Sequence, residues 1–434
     1  MEALDDDGGF DAATIRAVAT DRLAIGGVLV VGGGYAGSIA ARKIGECTIV
    51  NPENYMLFRP LLAEAASGAI EPRHVVVPLR VMCPRAELIV GSAVSLDLDA
   101  RSVTVRTEGD TYAVRYWNLV IALGAGTRVL PVPGLAEHAM GFNDLADAIT
   151  LRNHVLRELE AADAEIDPRR RDRHLGFVFV GAGYAGTEGL AELNDLARSA
   201  LRYYPRLREA PQRWVLVEAQ DRILPEVRPS LADYTARLLE RRGVEIKTRT
   251  RLESVDAEVA VLSDGTRVDT HTLVWTAGVR PNPLLEQWGL PLDERGRVEV
   301  DEFLRVRGYT DVWAVGDCAR VPNQASGEPD PPTSQHALRQ ARALARNLRG
   351  RPRPYTYRMI GQGATLGLYK GIAEIFGIRL RGFIGWWATR TYHLYQLPLL
   401  SRKLRVLADW TIALLFRRDI AELGSLGHPR RLEP

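Results

Sequence analysis

The sequence predicts an α/β chain of two Rossmann-like dinucleotide-binding units and a small C-terminal domain ending in amphipathic helices. Three observations predict it. An apolar run, Ile25–Val31, ends in Gly32-Gly33-Gly34-Tyr35-Ala36-Gly37. The arrangement returns a domain's length later, where Phe177–Val180 runs into Gly181-Ala182-Gly183-Tyr184-Ala185-Gly186. Each unit then has an apolar strand stepping into glycines, Asn118–Gly126 in the first and Leu273–Gly278 in the second. A single G-x-G-x-x-G is weak evidence. Two copies, each after a strand and opening a helix, are strong.

Each element has a local reason. The glycines of the first turn permit a tight bend, let backbone approach a pyrophosphate, and allow helix and strand to close up. Small residues, Ser38 to Ala41, keep that helix near its sheet. Phosphates then meet the positive end of the helix. A second strand, Cys47–Val50, ends at Asn51, and in the second unit Trp214–Val217 ends at Glu218. The polar, arginine-rich stretch Ala161–His174 reads as a solvated loop, with an anion patch as its other reading. Val312–Ala319 is a strand reaching Gly316-Asp317, followed by a Pro/Ser/Gly loop over 321–332 and a helix over Thr333–Arg349. Residues 350–358 read as a linker. The expected divisions are an extension over 1–24, one unit over 25–145 and 284–349, a second over 146–283, and a C-terminal domain over 350–434.

Composition narrows the function. The 434 residues are 46% hydrophobic and 25% charged, an ordinary globular balance that excludes wholesale disorder. Basic and acidic side chains number 56 and 54, so no global positive field points to nucleic acid. Three scattered cysteines, Cys47, Cys83 and Cys318, make neither a disulfide framework nor a thiolate cluster. The acidic start, Met1 to Phe10, lacks the features of a signal peptide, and no apolar stretch reaches about 18 residues. A cytoplasmic location is expected.

Two dinucleotide units joined by strand-to-glycine steps, with Gly316-Asp317 near the end, resemble the two-dinucleotide-binding flavoproteins related to the disulfide reductases. Within them, Asn54–Ile70, Gly181–Leu193 and Pro331–Gln340 look like segments of the type II NADH dehydrogenases. The resemblance spans about residues 25–420. It implies a non-proton-pumping NADH:quinone oxidoreductase, in which FAD takes a hydride from NADH and passes two electrons to a membrane quinone. It implies FAD against Gly32, Gly34, Tyr35, Ala36, Gly37, Asn51, Arg59, Gly124, Gly316, Asp317 and His336, with Asp317 on the ribityl chain. It implies NADH against Gly181, Gly183, Gly186, Glu218 and Gly278. An acidic residue at Glu218 suits a ribose 2′-hydroxyl and repels a 2′-phosphate, while Arg222 keeps NADPH open.

The resemblance also assigns Glu188 and Gln335 to catalysis. Glu188 would steer or pass protons beside flavin and nicotinamide; the structural reading is a carboxylate placed at a helix's positive end. Quinone-reducing relatives carry two glutamines four residues apart at Gln335. Here the residue four on is Arg339, and Gln340, one further, is turned away. Tyr369 and Lys370 are weaker candidates on the acceptor side. Asn51 departs too, standing where the family usually has Asp or Glu. An amide still bonds a hydroxyl, without charge assistance, and Glu53 could substitute. Sulfide:quinone reductases and disulfide reductases of this fold need thiols beside the flavin, and neither Cys47 nor Cys318 is given a redox role.

The C-terminal stretch carries Trp386, Trp387, Tyr392, Tyr395 and Trp410, with Arg402, Lys403, Arg405, Arg417 and Arg418. Its apolar run, Val406–Phe416, holds Asp409 and Thr411; eleven helical residues cover about 16 Å against a hydrocarbon core of about 30 Å. It resembles the segment by which type II enzymes attach peripherally to the inner face of the cell membrane. Packing within the chain or in a homodimer is the other reading. Two further readings of the whole stay open: a soluble NAD(P)H-dependent flavoprotein reductase with another acceptor, and a flavin-binding redox sensor without turnover.

Overall fold

The structure is a computed structural model that describes residues 21–422. The expected extension over 1–24 therefore falls mostly outside the described residues, as does the end of the chain from 423. The chain packs as two units. Among the described residues, unit 1 comprises 21–56, Pro78–Gly124 and Pro281–Tyr357; unit 2 comprises Leu57–Val77, Ala125–Arg280 and 358–422.

The centre of unit 1 is a five-stranded parallel sheet. Its order is Val312–Ala314, Asn118–Ile121, Val28–Val31, Thr48–Asn51, Glu87–Val90. Val28–Val31 is buried along its whole length, because a parallel strand covered on both faces needs a continuous apolar run. The helices Tyr35–Ile44 and Ser334–Leu348 pack together. Beyond them, Ser92–Asp97, Ser102–Arg106 and Thr111–Arg115 form an antiparallel sheet that Asp21–Leu23 extends in parallel.

Unit 2 repeats the winding. Its parallel sheet runs Ala139–Gly141, Thr272–Trp275, Gly176–Val180, Arg213–Val217, Val244–Lys247. In both sheets the strand before the glycine turn has the next strand in the unit on one side and a later strand on the other. That is the switch point at which open α/β sheets bind ligands. Trp214 stacks on Phe177 at 4.2 Å within a core built largely from this sheet and the helices Leu145–Ala164 and Tyr184–Ala200. Residues 358–422 pack into this same unit. The strands Gly361–Thr365, Gly371–Ile375 and Ile378–Arg381 form an antiparallel sheet against helix Gly382–Gln396, and helix Leu400–Leu415 follows.

The stretch Ala161–His174 is not the expected loop. Helix Leu145–Ala164 runs into it, and a second helix, Pro168–His174, fills its end. Asp167 caps that helix by accepting from Arg169 N, and Pro168 occupies its first position.

Candidate functional site

The two glycine turns have the same construction. Gly32 and Gly181 adopt φ of +103° and +101°, which a side chain resists. A Cβ on Gly37 would lie 1.8 Å from Gly32 O, and one on Gly186 1.9 Å from Gly181 O, so only hydrogen fits where helix crosses strand. Gly34 and Gly183 precede the two helices as caps without side chains, and the space beside them is open. This open, uncapped helix start at the switch point accommodates a pyrophosphate, and so passes the test a dinucleotide sets.

Each turn is held by the next strand. Asn51 Oδ1 accepts from Gly33 N at 2.7 Å, and Glu218 Oε2 accepts from Ala182 N at 2.8 Å. The second polar atom differs. Glu218 Oε1 accepts from Gln220 N, whereas Asn51 Nδ2 donates to Glu53 O at 2.7 Å. A carboxylate at 51 would set an oxygen against that carbonyl, which gives the amide a structural reason. Glu53 thus meets Asn51 through its backbone. Arg222 Nη2 is tied to Pro225 O at 2.7 Å.

In unit 1 the Gly316-Asp317 turn, with Gly316 at φ +79°, is braced by a residue that periodicity had turned away. Gln340, 3% exposed, accepts from Gly316 N through Oε1 and donates to Asp330 Oδ2 through Nε2, both at 2.9 Å. His336 Nδ1 lies 2.7 Å from Thr333 Oγ1 and its Nε2 3.6 Å from Asp330, and burial draws its pKa below the usual histidine range against the pull of Asp330. Gln335 and Arg339 do share the other face: Tyr357 donates to Gln335 Oε1 at 3.1 Å, and the Arg339 guanidinium stands 5.3 Å over the Tyr357 ring. Gly124 sits at φ +66° with open space where a Cβ would be.

In unit 2, Glu188 is the fifth residue of helix Tyr184–Ala200 and partly buried. It accepts from Thr365 N at 2.7 Å and from Thr365 Oγ1 at 3.3 Å. Burial pushes its carboxyl up to about 8, the Thr365 bonds oppose this, and the charges of Glu64 and Glu192 add to it. Gly278 takes φ +83°, and its carbonyl accepts from Arg128 N. Arg59 is exposed and belongs to unit 2, in the short helix Arg59–Leu61.

Unit 2 also holds a buried polar network that no sequence motif announces. Glu64, 1% exposed, accepts from Arg390 Nη2 at 2.5 Å and from Trp410 Nε1 at 2.8 Å. Burial raises the Glu64 carboxyl, and Arg390 and Trp410 draw it back. The Arg390 guanidinium stacks on Trp386 at 4.0 Å. Glu192 Oε2 accepts from Ser67 and Arg418. One signal existed: Glu188 and Glu192 share a helix face, and two carboxylates so placed repel unless one is paired or protonated.

Several C-terminal expectations change accordingly. Trp386 and Trp410 face this network, and Arg418 is paired with Glu192, so none of the three is a surface group. Asp409 accepts from His74 Nδ1 at 2.6 Å and Thr411 donates to Leu407 O, so both polar residues in the apolar run are satisfied within the unit. No helix among the described residues is long and apolar enough to cross a membrane. All three cysteines are buried, and burial lifts Cys47 to about 12 and Cys83 and Cys318 to about 11, so the thiolate needed for exchange is scarce.

Comparison with known proteins agrees with this architecture. The pattern of the pyridine nucleotide-disulphide oxidoreductase family matches residues 26–341. The type II NADH:quinone oxidoreductase Ndh of Mycobacterium tuberculosis is 30% identical over 415 residues, covering 90% of this chain and 88% of its own. The internal alternative NAD(P)H-ubiquinone oxidoreductase A1 of Arabidopsis thaliana mitochondria is 29% identical, covering 91% and 85%. Among solved structures, NDH2 of Plasmodium falciparum in complex with NADH superposes with a TM-score of 0.85 at 17% identity, covering 91% of this chain and 99% of its own. This chain belongs to the pyridine nucleotide-disulphide oxidoreductase family and, within it, to the type II NADH dehydrogenases.

Proposed function

We propose that the chain is an FAD-dependent NADH:quinone oxidoreductase that does not pump protons. The observation that carries this is the pair of like-built glycine turns, one per unit, each at a switch point and each held by the next strand. Bound FAD supplies the redox chemistry, taking a hydride from NADH and passing two electrons to a quinone. The chain's own residues bind and orient. The unit 1 turn, Asn51 and the Gln340-braced Gly316-Asp317 turn suit FAD. The unit 2 turn with Glu218 suits NADH, because two backbone N–H groups hold this acidic side chain where a ribose 2′-hydroxyl is welcome and a 2′-phosphate is repelled. Glu188, holding its proton at neutral pH, is placed to give or take one during turnover. Gln335 remains the acceptor-side candidate, with Arg339 beside it over Tyr357.

The C-terminal helices support a peripheral seat on the inner face of the cell membrane. Leu400, Leu404, Leu407 and Leu414 repeat at helical spacing and are all exposed, while Val406 and Trp410 are buried. An apolar stripe left in solvent, together with the exposed Trp387, Phe383 and Ile384 of the preceding helix and the exposed basic Arg405 and Arg417, suits the lipid interface.

Steady-state assay with a short-chain quinone tests the catalytic reading. Wild type should oxidise NADH in a quinone-dependent way and prefer it to NADPH. Glu218→Ala strips Ala182 N and Gln220 N of their acceptor, a change of about 1–3 kcal/mol, and should raise KM for NADH roughly tenfold while narrowing the preference. NADH consumption limited to one equivalent per flavin would instead support the sensor.

A further inference from the structure

Three side chains from separate elements of unit 2 converge at the end of its sheet away from the glycine turn. Glu158 comes from helix Leu145–Ala164, His174 closes helix Pro168–His174, and His271 directly precedes strand Thr272–Trp275. Glu158 Oε2 lies 2.7 Å from His174 Nδ1 and 3.1 Å from His271 Nδ1, and the two nitrogens are 3.2 Å apart. The rings meet edge to face. Both histidines stand before two adjacent parallel strands, whereas Gly181 and Gly278 follow those strands. Strands of five and four residues span about 17 and about 13 Å, so the cluster takes no part in nucleotide binding.

We propose that Glu158, His174 and His271 form a binding site for a divalent transition metal of the zinc type, with water in the fourth position. Two imidazole nitrogens and one carboxylate oxygen are the donor set of an open tetrahedral zinc site. Bonds of about 2.0–2.1 Å at tetrahedral angles place neighbouring ligand atoms roughly 3.3 Å apart. The triangle of 2.7, 3.1 and 3.2 Å needs little adjustment to reach that spacing. An ion bonded to all three would stand about 1 Å out of their plane, leaving its outer face for water. The histidine side chains are 18% and 26% exposed and Glu158 9%, so the ion can enter while the carboxylate stays shielded.

The surroundings allow a cation. Arg173 is paired with Glu258 at 2.6 Å, and His154 is engaged with Thr272 Oγ1 at 2.8 Å outside the triangle. Without an ion, two Nδ1 atoms converge on one carboxylate oxygen and on each other. With one, each directs a lone pair at the metal, and the ion clips a helix to the starts of two strands.

The test titrates zinc alone into flavin-loaded, chelator-treated protein. Calorimetry should give one ion per chain with a dissociation constant near 1 μM or tighter, and a hundredfold excess over that constant should raise Tm by about 5 °C. The double variant His174→Gln, His271→Gln should lose the binding and the Tm shift while retaining flavin and its reduction by NADH. Glu158→Gln, which alters one ligand conservatively, should weaken binding at least tenfold. Absence of saturable zinc binding by the wild-type protein would overturn the proposal, as would unchanged binding in the histidine double variant.

Discussion

Glu188 stands beyond the first turn of its helix, where the pull of the helix's positive end has faded. Its proton is governed by burial and by Glu64 and Glu192, which together raise it to about 8 from an ordinary 4.5. The sign follows. The folded chain keeps a proton that the unfolded chain releases, so this group's contribution to stability is full below about 4.5 and is lost as pH climbs through about 8. Denaturation of Glu188→Gln at pH 6 and at pH 9 should show a smaller loss of stability than wild type, and the alkaline limb of the turnover profile should move. Parallel stability curves would show that Glu188 titrates normally. Individual residues also mark where sequence reasoning stops. Spacing alone placed Gln335 and Arg339 on one face, and both meet Tyr357. It turned Gln340 away correctly but could not say toward what, because Gly316 and Asp330 reach it through tertiary packing.

At the scale of elements, the last two long helices are fastened to unit 2 by a buried charge. Arg390 on helix Gly382–Gln396 and Trp410 on helix Leu400–Leu415 both donate to Glu64. Removing Arg390 leaves that carboxylate uncompensated, which costs about 3–5 kcal/mol. Arg390→Ala should therefore lower Tm by about 10 °C in thermal unfolding, and Arg390→Lys should recover little, since a point charge neither stacks on Trp386 nor spans the same geometry. A shift within 2 °C for Arg390→Ala would mean the pair contributes little. This fastening was illegible beforehand because Glu64 and Arg390 are 326 residues apart in the chain. Strands and glycine turns were legible, since continuous apolar runs and backbone requirements are local. The Pro168–His174 helix lay between these cases: Asp167 and Pro168 are start signals, but its arginine-rich body has no apolar face to announce it.

At the scale of the molecule, two units with the same strand winding explain why one motif search located both nucleotide turns. The same scale assigns the exposed leucine stripe. Leu404→Glu with Leu407→Glu changes only exposed positions, so folding and NADH oxidation with a water-soluble quinone should persist. Cosedimentation with anionic phospholipid vesicles should fall at least fivefold; undiminished binding would place the membrane contact elsewhere. Central to the molecule is an electron path from NADH through flavin to quinone. Anaerobic titration of the flavin with NADH, followed by a short-chain menaquinone or ubiquinone analogue, examines that path directly. One equivalent of NADH should bleach the flavin fully, and quinone should reoxidise it at least as fast as turnover. A flavin that NADH reduces but quinone leaves reduced would rule out that path and assign the electrons to a different acceptor.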